Sequence, residues 1–159
     1  MPTLSAILIC KNEAANIEAC LHSLAFCDEI VVVDSGSVDG TQEIARRFTQ
    51  RVLEQPWLGF GPQKNVALDH ASGDWVFSID CDERVTPTLR DAMLRAVREP
   101  HAHAAFRVTR SNTFLGRAIR FGDWRIDAPV RLFRRDSGRF SNDAVHERVL
   151  VQEIGRAHV

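Results

Sequence analysis

No stretch of this chain approaches the roughly 18 consecutive apolar residues of a membrane-spanning helix. The longest apolar runs, Leu4–Cys10 and Ile30–Val33, have the length of buried strands. The four cysteines, Cys10, Cys20, Cys27 and Cys81, never approach Cys-x-x-Cys spacing, so they suggest core-filling thiols in a reducing cytosol. Met1-Pro2-Thr3 carries no basic segment ahead of the first apolar run, and no secretory leader is expected there. Charge of one sign is not in excess: 20 Lys and Arg against 21 Asp and Glu give a net charge of -1. Nucleic-acid binders usually carry a basic surplus, so no nucleic-acid partner is expected. Lysine is scarce, with Lys11 and Lys64 alone among the 20 basic residues. Gly-x-Gly-x-x-Gly and Gly-x-x-x-x-Gly-Lys-Ser/Thr are both missing, which counts against dinucleotide hydride chemistry and P-loop hydrolysis. There is no internal repeat or low-complexity tract.

What remains is 159 residues, 45% hydrophobic and 26% charged, one ordinary globular domain's worth of chain. Its apolar patterning alternates between two periods. Leu4–Ile9 reads as a strand buried on both faces. Ala14, Ile17, Leu21 and Leu24 follow at three- and four-residue steps and predict an amphipathic helix from Glu13 to Leu24. Glu29–Asp34 is a second strand, Ser35–Gly40 a turn, and Thr41–Phe48 a second helix. Arg51–Glu54 predicts a third strand, Gln63 to His70 a helix, and Asp74–Asp80 a fourth strand. Thr86-Pro87 has the chemistry of a helix start, with Leu89, Met93, Leu94 and Val97 as the buried stripe. Beyond Pro100, Ala105–Arg110 and Val130–Arg134 alternate apolar with polar residues, as half-exposed strands do. Alternating strands and helices imply an α/β fold with a mainly parallel central sheet and right-handed crossovers. Ligands of such sheets bind at the carboxyl ends of the strands. The polar residues of interest fall there: Asn12 and Glu13 after the first strand, Asp34 after the second, Asp80 and Asp82 after the fourth.

Asp80-Cys81-Asp82 offers two carboxylates suited to a hard divalent cation such as Mg or Mn, which keeps part of its shell for water and phosphate oxygens. A solvated turn in which Glu83 complements the next helix dipole is the plainer reading. Asp34-Ser35-Gly36-Ser37-x-Asp39-Gly40 lets backbone approach a flat ligand closely, although Asp39 or Ser37 capping a helix explains the same letters. Lys64, at the first turn of the predicted helix, suits a diphosphate; a solvated lysine is the alternative. Asn142-Asp143-Ala144-Val145-His146-Glu147 holds two carboxylates and an imidazole, so Asp143 or Glu147 is a candidate general base, and a surface turn is equally consistent. Between Arg107 and Arg139 nine arginines stand against three acidic residues, a face for an anionic partner or simply a solvated one.

In chain order, Cys10-Lys11-Asn12-Glu13, Val33-Asp34-Ser35-Gly36-Ser37-x-Asp39-Gly40-Thr41, Trp57-x-Gly59-Phe60-Gly61-x-Gln63-Lys64-Asn65, Ile79-Asp80-x-Asp82-Glu83, Phe114-Leu115-Gly116 and Asn142-Asp143-x-Val145-His146-Glu147 closely resemble the family-2 glycosyltransferases. The nearest group is the lipopolysaccharide core β-1,4-glucosyltransferases. The resemblance implies a GT-A nucleotide-sugar fold over residues 1–153, with a nucleotide-sugar half (1–100) and an acceptor-side half (101–153). It implies inverting transfer of a hexose, glucose, from a UDP-sugar to a lipopolysaccharide core or similar anionic glycolipid, in the cytoplasm with a peripheral inner-membrane contact. Carried over by motif, Asn12, Glu13, Asp34, Lys64 and Asp80 bind the donor. In these roles Asp34 contacts uracil or ribose, Lys64 the diphosphate, and Asp80 ribose or metal. Asp82 binds the divalent cation, and Glu147, with Asp143 as second candidate, is the base.

Related chains continue past the Val-His-Glu motif, so a C-terminally truncated domain with an incomplete sheet is expected. The codons of Ile154–Val159 can be written as a widely used sequencing adapter, so 154–159 is expected to be a non-native tail forming no packed element. Two rival functions are a nucleotide-binding remnant without activity and a sugar nucleotidyltransferase. The latter should carry a glycine- and basic-rich loop where this chain has Cys-Lys-Asn-Glu.

Overall fold

The structure, a computed structural model, describes residues 1–99, 103–108, 113–114, 117–118, 129–142, 149–151 and 157–158. Its elements are β1 (Leu4–Cys10), α1 (Ile17–Ser23), β2 (Glu29–Asp34), α2 (Thr41–Arg46), β3 (Val52–Glu54), α3 (Phe60–His70), β4 (Trp75–Ser78) and α4 (Pro87–Arg98), followed by β5 (Ala105–Arg107), β6 (Thr113–Phe114), β7 (Arg117–Ala118), β8 (Val130–Arg134), β9 (Gly138–Phe140), β10 (Val149–Val151) and β11 (Ala157–His158).

Seven strands form one sheet in the order β11-β5-β8-β4-β1-β2-β3. The β1–β2, β1–β4 and β2–β3 pairs are parallel, as the βα alternation predicts. β8 enters antiparallel to both β4 and β5, so the sheet is mainly rather than wholly parallel. Alternate residues of each central strand feed two cores, one on each face. Leu4, Ala6 and Leu8 of β1 pack with Ile17 and Leu21 of α1, Ala45 of α2 and Met93 and Val97 of α4. Ile7, Val31 and Val33 point the other way, toward Ala67 and Leu68 of α3 and Phe140 of β9. All four cysteines are free thiols, three of them buried. Burial pushes the Cys27 thiol up to about 12. Among the described residues no helix is long and apolar enough to cross a membrane.

Several expectations differ from what is observed. The half-exposed pattern expected of Val130–Arg134 does not hold: Arg131, Leu132 and Phe133 are all buried, because β8 lies inside the sheet between β4 and β5. The α1 helix begins at Ile17 rather than Glu13. Residues 13–17 form a turn closed by Ile17 N–H to Glu13 O, and the free amides of Glu13 and Ala14 donate to Thr41 Oγ1 and Asp39 Oδ2. By contrast, α3 begins early, at Phe60, with Gly59 ahead of it at φ 105°, a left-handed conformation that suits glycine. Finally, Ala157 and His158 pair with Phe106 and Arg107, where no packed element was expected over 154–159. Without them β5 would end the sheet, and such an edge accepts extended backbone with little demand on sequence.

Candidate active site

The chain adds β2 and β3 on one side of β1 and then β4 on the other, so the order of growth reverses at β1. In an open α/β sheet the crevice at the carboxyl ends of such strands receives ligands. A cleft of about 620 Å³ lies there. The β1 end contributes Cys10, Lys11 and Glu13, the β2 end Ser35, the start of α3 Phe60 and Lys64, and the β4 end Asp80 and Asp82. Trp57, from the loop before α3, completes the aromatic side.

The loops after β1 and β2 are tied into one unit. Asn12, at φ 54°, donates its N–H to Ser37 Oγ at 2.7 Å and accepts from Val38 N–H at 2.9 Å. Asp34 is fully buried and does not line the cleft. Its carboxylate accepts from Gly36 N–H, Ser37 N–H, the Ser37 hydroxyl and Gln42 Nε2. Burial alone would raise its pKa, but these donors outweigh it and hold the carboxyl below the usual range. With these hydrogen bonds Asp34 organises the 35–42 loop beside the cleft.

The aromatic side is braced by Gln63, whose side chain is completely buried. Its Oε1 accepts from Leu58 N–H at 3.1 Å and its Nε2 donates to Gln55 O at 2.9 Å. Trp57 and Phe60, each about half exposed, meet edge to face with centroids 4.9 Å apart. Because α3 starts at Phe60, Lys64 sits one turn inside the helix on the same face as Phe60, not at its first turn.

At the acidic end, Asp80 lies between two cations. Lys64 Nζ is 3.9 Å from Oδ1 and Arg131 Nη2 is 3.6 Å from Oδ2. Asp82 is exposed. Glu83 does not serve the next helix: it accepts from Asp80 N–H at 2.8 Å and binds the Arg131 guanidinium at 2.6 and 3.3 Å. Arg131 also donates to Ser78 O at 3.2 Å. Sequence reasoning missed Arg131 and this role of Glu83; the letters of β8 offered no way to tell the buried Arg131 from the exposed Arg134 of the same strand.

Thus Glu13, Lys64, Asp80 and Asp82 line one cleft, with Asn12 and Asp34 in the loops behind it. Asp143, His146 and Glu147 lie outside the described residues, but the chain leading to them is anchored. Asn65 exchanges two hydrogen bonds with the backbone of Phe140, at 3.0 and 2.9 Å, and a methyl group on Gly61 would overlap the Ser141 carbonyl. Of the arginines between 107 and 139, several described ones serve internal contacts. Arg134 lies 4.8 Å from the Trp75 ring, Arg135 donates to Gly73 O and Arg139 pairs with Asp69.

A crevice of carboxylates and a lysine at the switch point of a mainly parallel sheet is the arrangement of a nucleotide-ligand α/β protein. Residues 5–150 match the family described as Glycosyl transferase family 2, and the chain belongs to that family. It is 35% identical to the lipopolysaccharide core biosynthesis glycosyltransferase LpsC of Rhizobium meliloti, over 97% of this chain and 60% of LpsC. The chain thus spans about 60% of that relative's length. Among solved structures it resembles glucosyl-3-phosphoglycerate synthase of Mycobacterium tuberculosis in complex with Mg2+ and UDP. There the TM-score is 0.56 at 27% identity, over 67% of this chain and 43% of that one. It also resembles the mannosyltransferase PcManGT of Pyrobaculum calidifontis in complex with GDP-Man and Mn2+. That TM-score is 0.56 at 30% identity, over 66% of this chain and 34% of the other. The fold is GT-A.

Proposed function

We propose that this chain carries the donor site of an inverting hexosyltransferase that moves glucose from a UDP-linked donor to a lipopolysaccharide core or similar anionic glycan. The observation that carries this reading is the convergence of Lys64, Asp80 and Asp82 on one cleft at the sheet's switch point. The name of LpsC supports the acceptor class, and the UDP and Mg2+ of the mycobacterial synthase support the donor class.

The donor set fits a divalent cation. Asp80 and Asp82 supply hard oxygen ligands on one wall of the cleft. That suits Mg2+ or Mn2+, which fill the rest of the shell with water and substrate phosphates. When bound, the cation supplies charge neutralisation at the leaving diphosphate. Lys64 binds the diphosphate from the other wall. The Asn12–Ser37 and Asp34-centred loops hold the nucleoside, with Glu13 at their junction. Glu147, or Asp143 in the same motif, accepts the proton of the acceptor hydroxyl. The hydroxyl oxygen then bonds the anomeric carbon as its bond to the diphosphate oxygen breaks, inverting that centre.

Calorimetry with UDP and Mn2+, followed by a transfer assay across UDP-glucose, UDP-galactose and other donors, tests this. Binding with turnover of UDP-glucose is expected. Binding without turnover would establish the inactive remnant instead. Asp82→Ala is expected to lower transfer by about 100-fold or more while circular dichroism stays unchanged; full activity would contradict the assignment.

A further inference from the structure

Resting on the donor-site reading above, we infer that Arg131 is a positioning residue that holds Asp80 and keeps the acidic end of the cleft from binding a divalent cation tightly until a diphosphate arrives. The geometry is unusual for an arginine in the middle of a sheet. Arg131 is 8% exposed and lies on β8, the antiparallel strand beside β4. Its guanidinium is fixed from below by Ser78 O at 3.2 Å and from the side by both oxygens of Glu83 at 2.6 and 3.3 Å. A planar fork held at three points has little freedom left, so its remaining direction is defined. That direction is Asp80 Oδ2, 3.6 Å from Nη2. Glu83 completes the brace by accepting from Asp80 N–H at 2.8 Å. Arg131 therefore holds Asp80 twice, once by charge and once through Glu83.

The same contacts set the local charge. Asp80 faces both Lys64 and Arg131, one cation near each of its oxygens, Glu83 pairs with Arg131, and Asp82 stands exposed beside them. A metal ion arriving alone meets an Asp80 carboxylate whose charge is already answered by two cations. A diphosphate brings negative charge of its own and draws Lys64 toward it, which leaves Asp80 open to the metal on that side. Cation and nucleotide diphosphate should therefore bind as a pair. A unit positive charge about 6 Å from a divalent ion opposes binding by about tenfold even at the dielectric of water.

The test measures binding of Mn2+ alone and of Mn2+ with UDP, by electron paramagnetic resonance of the free ion, on the full chain. Arg131→Gln is expected to tighten Mn2+ binding in the absence of UDP by about tenfold and to shrink the UDP enhancement by a similar factor. Arg131→Lys, which keeps the charge but not the fork, is expected to fall between the parent and Arg131→Gln in lone-ion binding. Weaker or unchanged lone-ion binding in Arg131→Gln overturns the inference, because a merely structural residue would lose affinity on removal. If that variant does not fold by circular dichroism, Arg131→Met, which keeps the aliphatic stem and drops the charge, is read against the same two outcomes. Failure of UDP to bind the parent at all overturns the donor-site reading instead, so the two failures are distinct.

Discussion

Asp34 shows how a strand-end carboxylate in a motif can fold the turn that follows it. It ends β2 with its carboxylate filled by donors from Gly36, Ser37 and Gln42. Its position at a strand end was legible in the sequence; its burial was not, because the donors come from the turn it folds. The pKa consequence has a definite sign. Burial pushes it up, the hydrogen bonds push it further down, and the folded value lies below the unfolded one. The stabilisation is thus complete above the unfolded value of about 3.9 and is lost as pH falls through the folded value. Asp34→Asn is expected to cost about 1–3 kcal/mol at pH 7 in urea unfolding and to flatten the loss of stability below about pH 4. An unchanged urea midpoint at pH 7 would contradict this role.

The elements divide by where their partners lie. The Thr86-Pro87 start of α4 depends on nearby residues and occurs where the sequence implied. In α4 the Thr86 side chain accepts from Leu89 N–H, the local bond that the letters suggest. The turn ahead of α1 is tied instead to Thr41 and Asp39, about 25 residues away, and local periodicity carries no trace of them. The same holds for α3 and β9. Asn65 satisfies the buried N–H and C=O of Phe140 across 75 residues, fixing the approach of the segment that leads toward Glu147. Asn65→Ala leaves both groups without that partner and is expected to cost about 2–4 kcal/mol in denaturant unfolding, lowering transfer as well. A variant with parent stability would show that this clamp is dispensable.

Across the whole molecule, the βα alternation revealed a mainly parallel sheet, and the strand-end acids revealed which edge of it carries the site. The position of β8 was not legible, since its pairing with β4 and β5 joins segments far apart in sequence. Arg131 went unseen for that reason: its burial comes from the sheet and its charge from Glu83. Lys64 was legible through its motif, although the helix around it begins earlier than the apolar pattern suggested. The cleft is thus assembled from four separate segments of chain, and its chemistry belongs to the assembly. The most direct measurement is a crystal structure of the chain with UDP and Mn2+, with the ion located by its anomalous signal. The account predicts the ion beside Asp80 and Asp82 and the diphosphate against Lys64; an ion and nucleotide outside this cleft would contradict it.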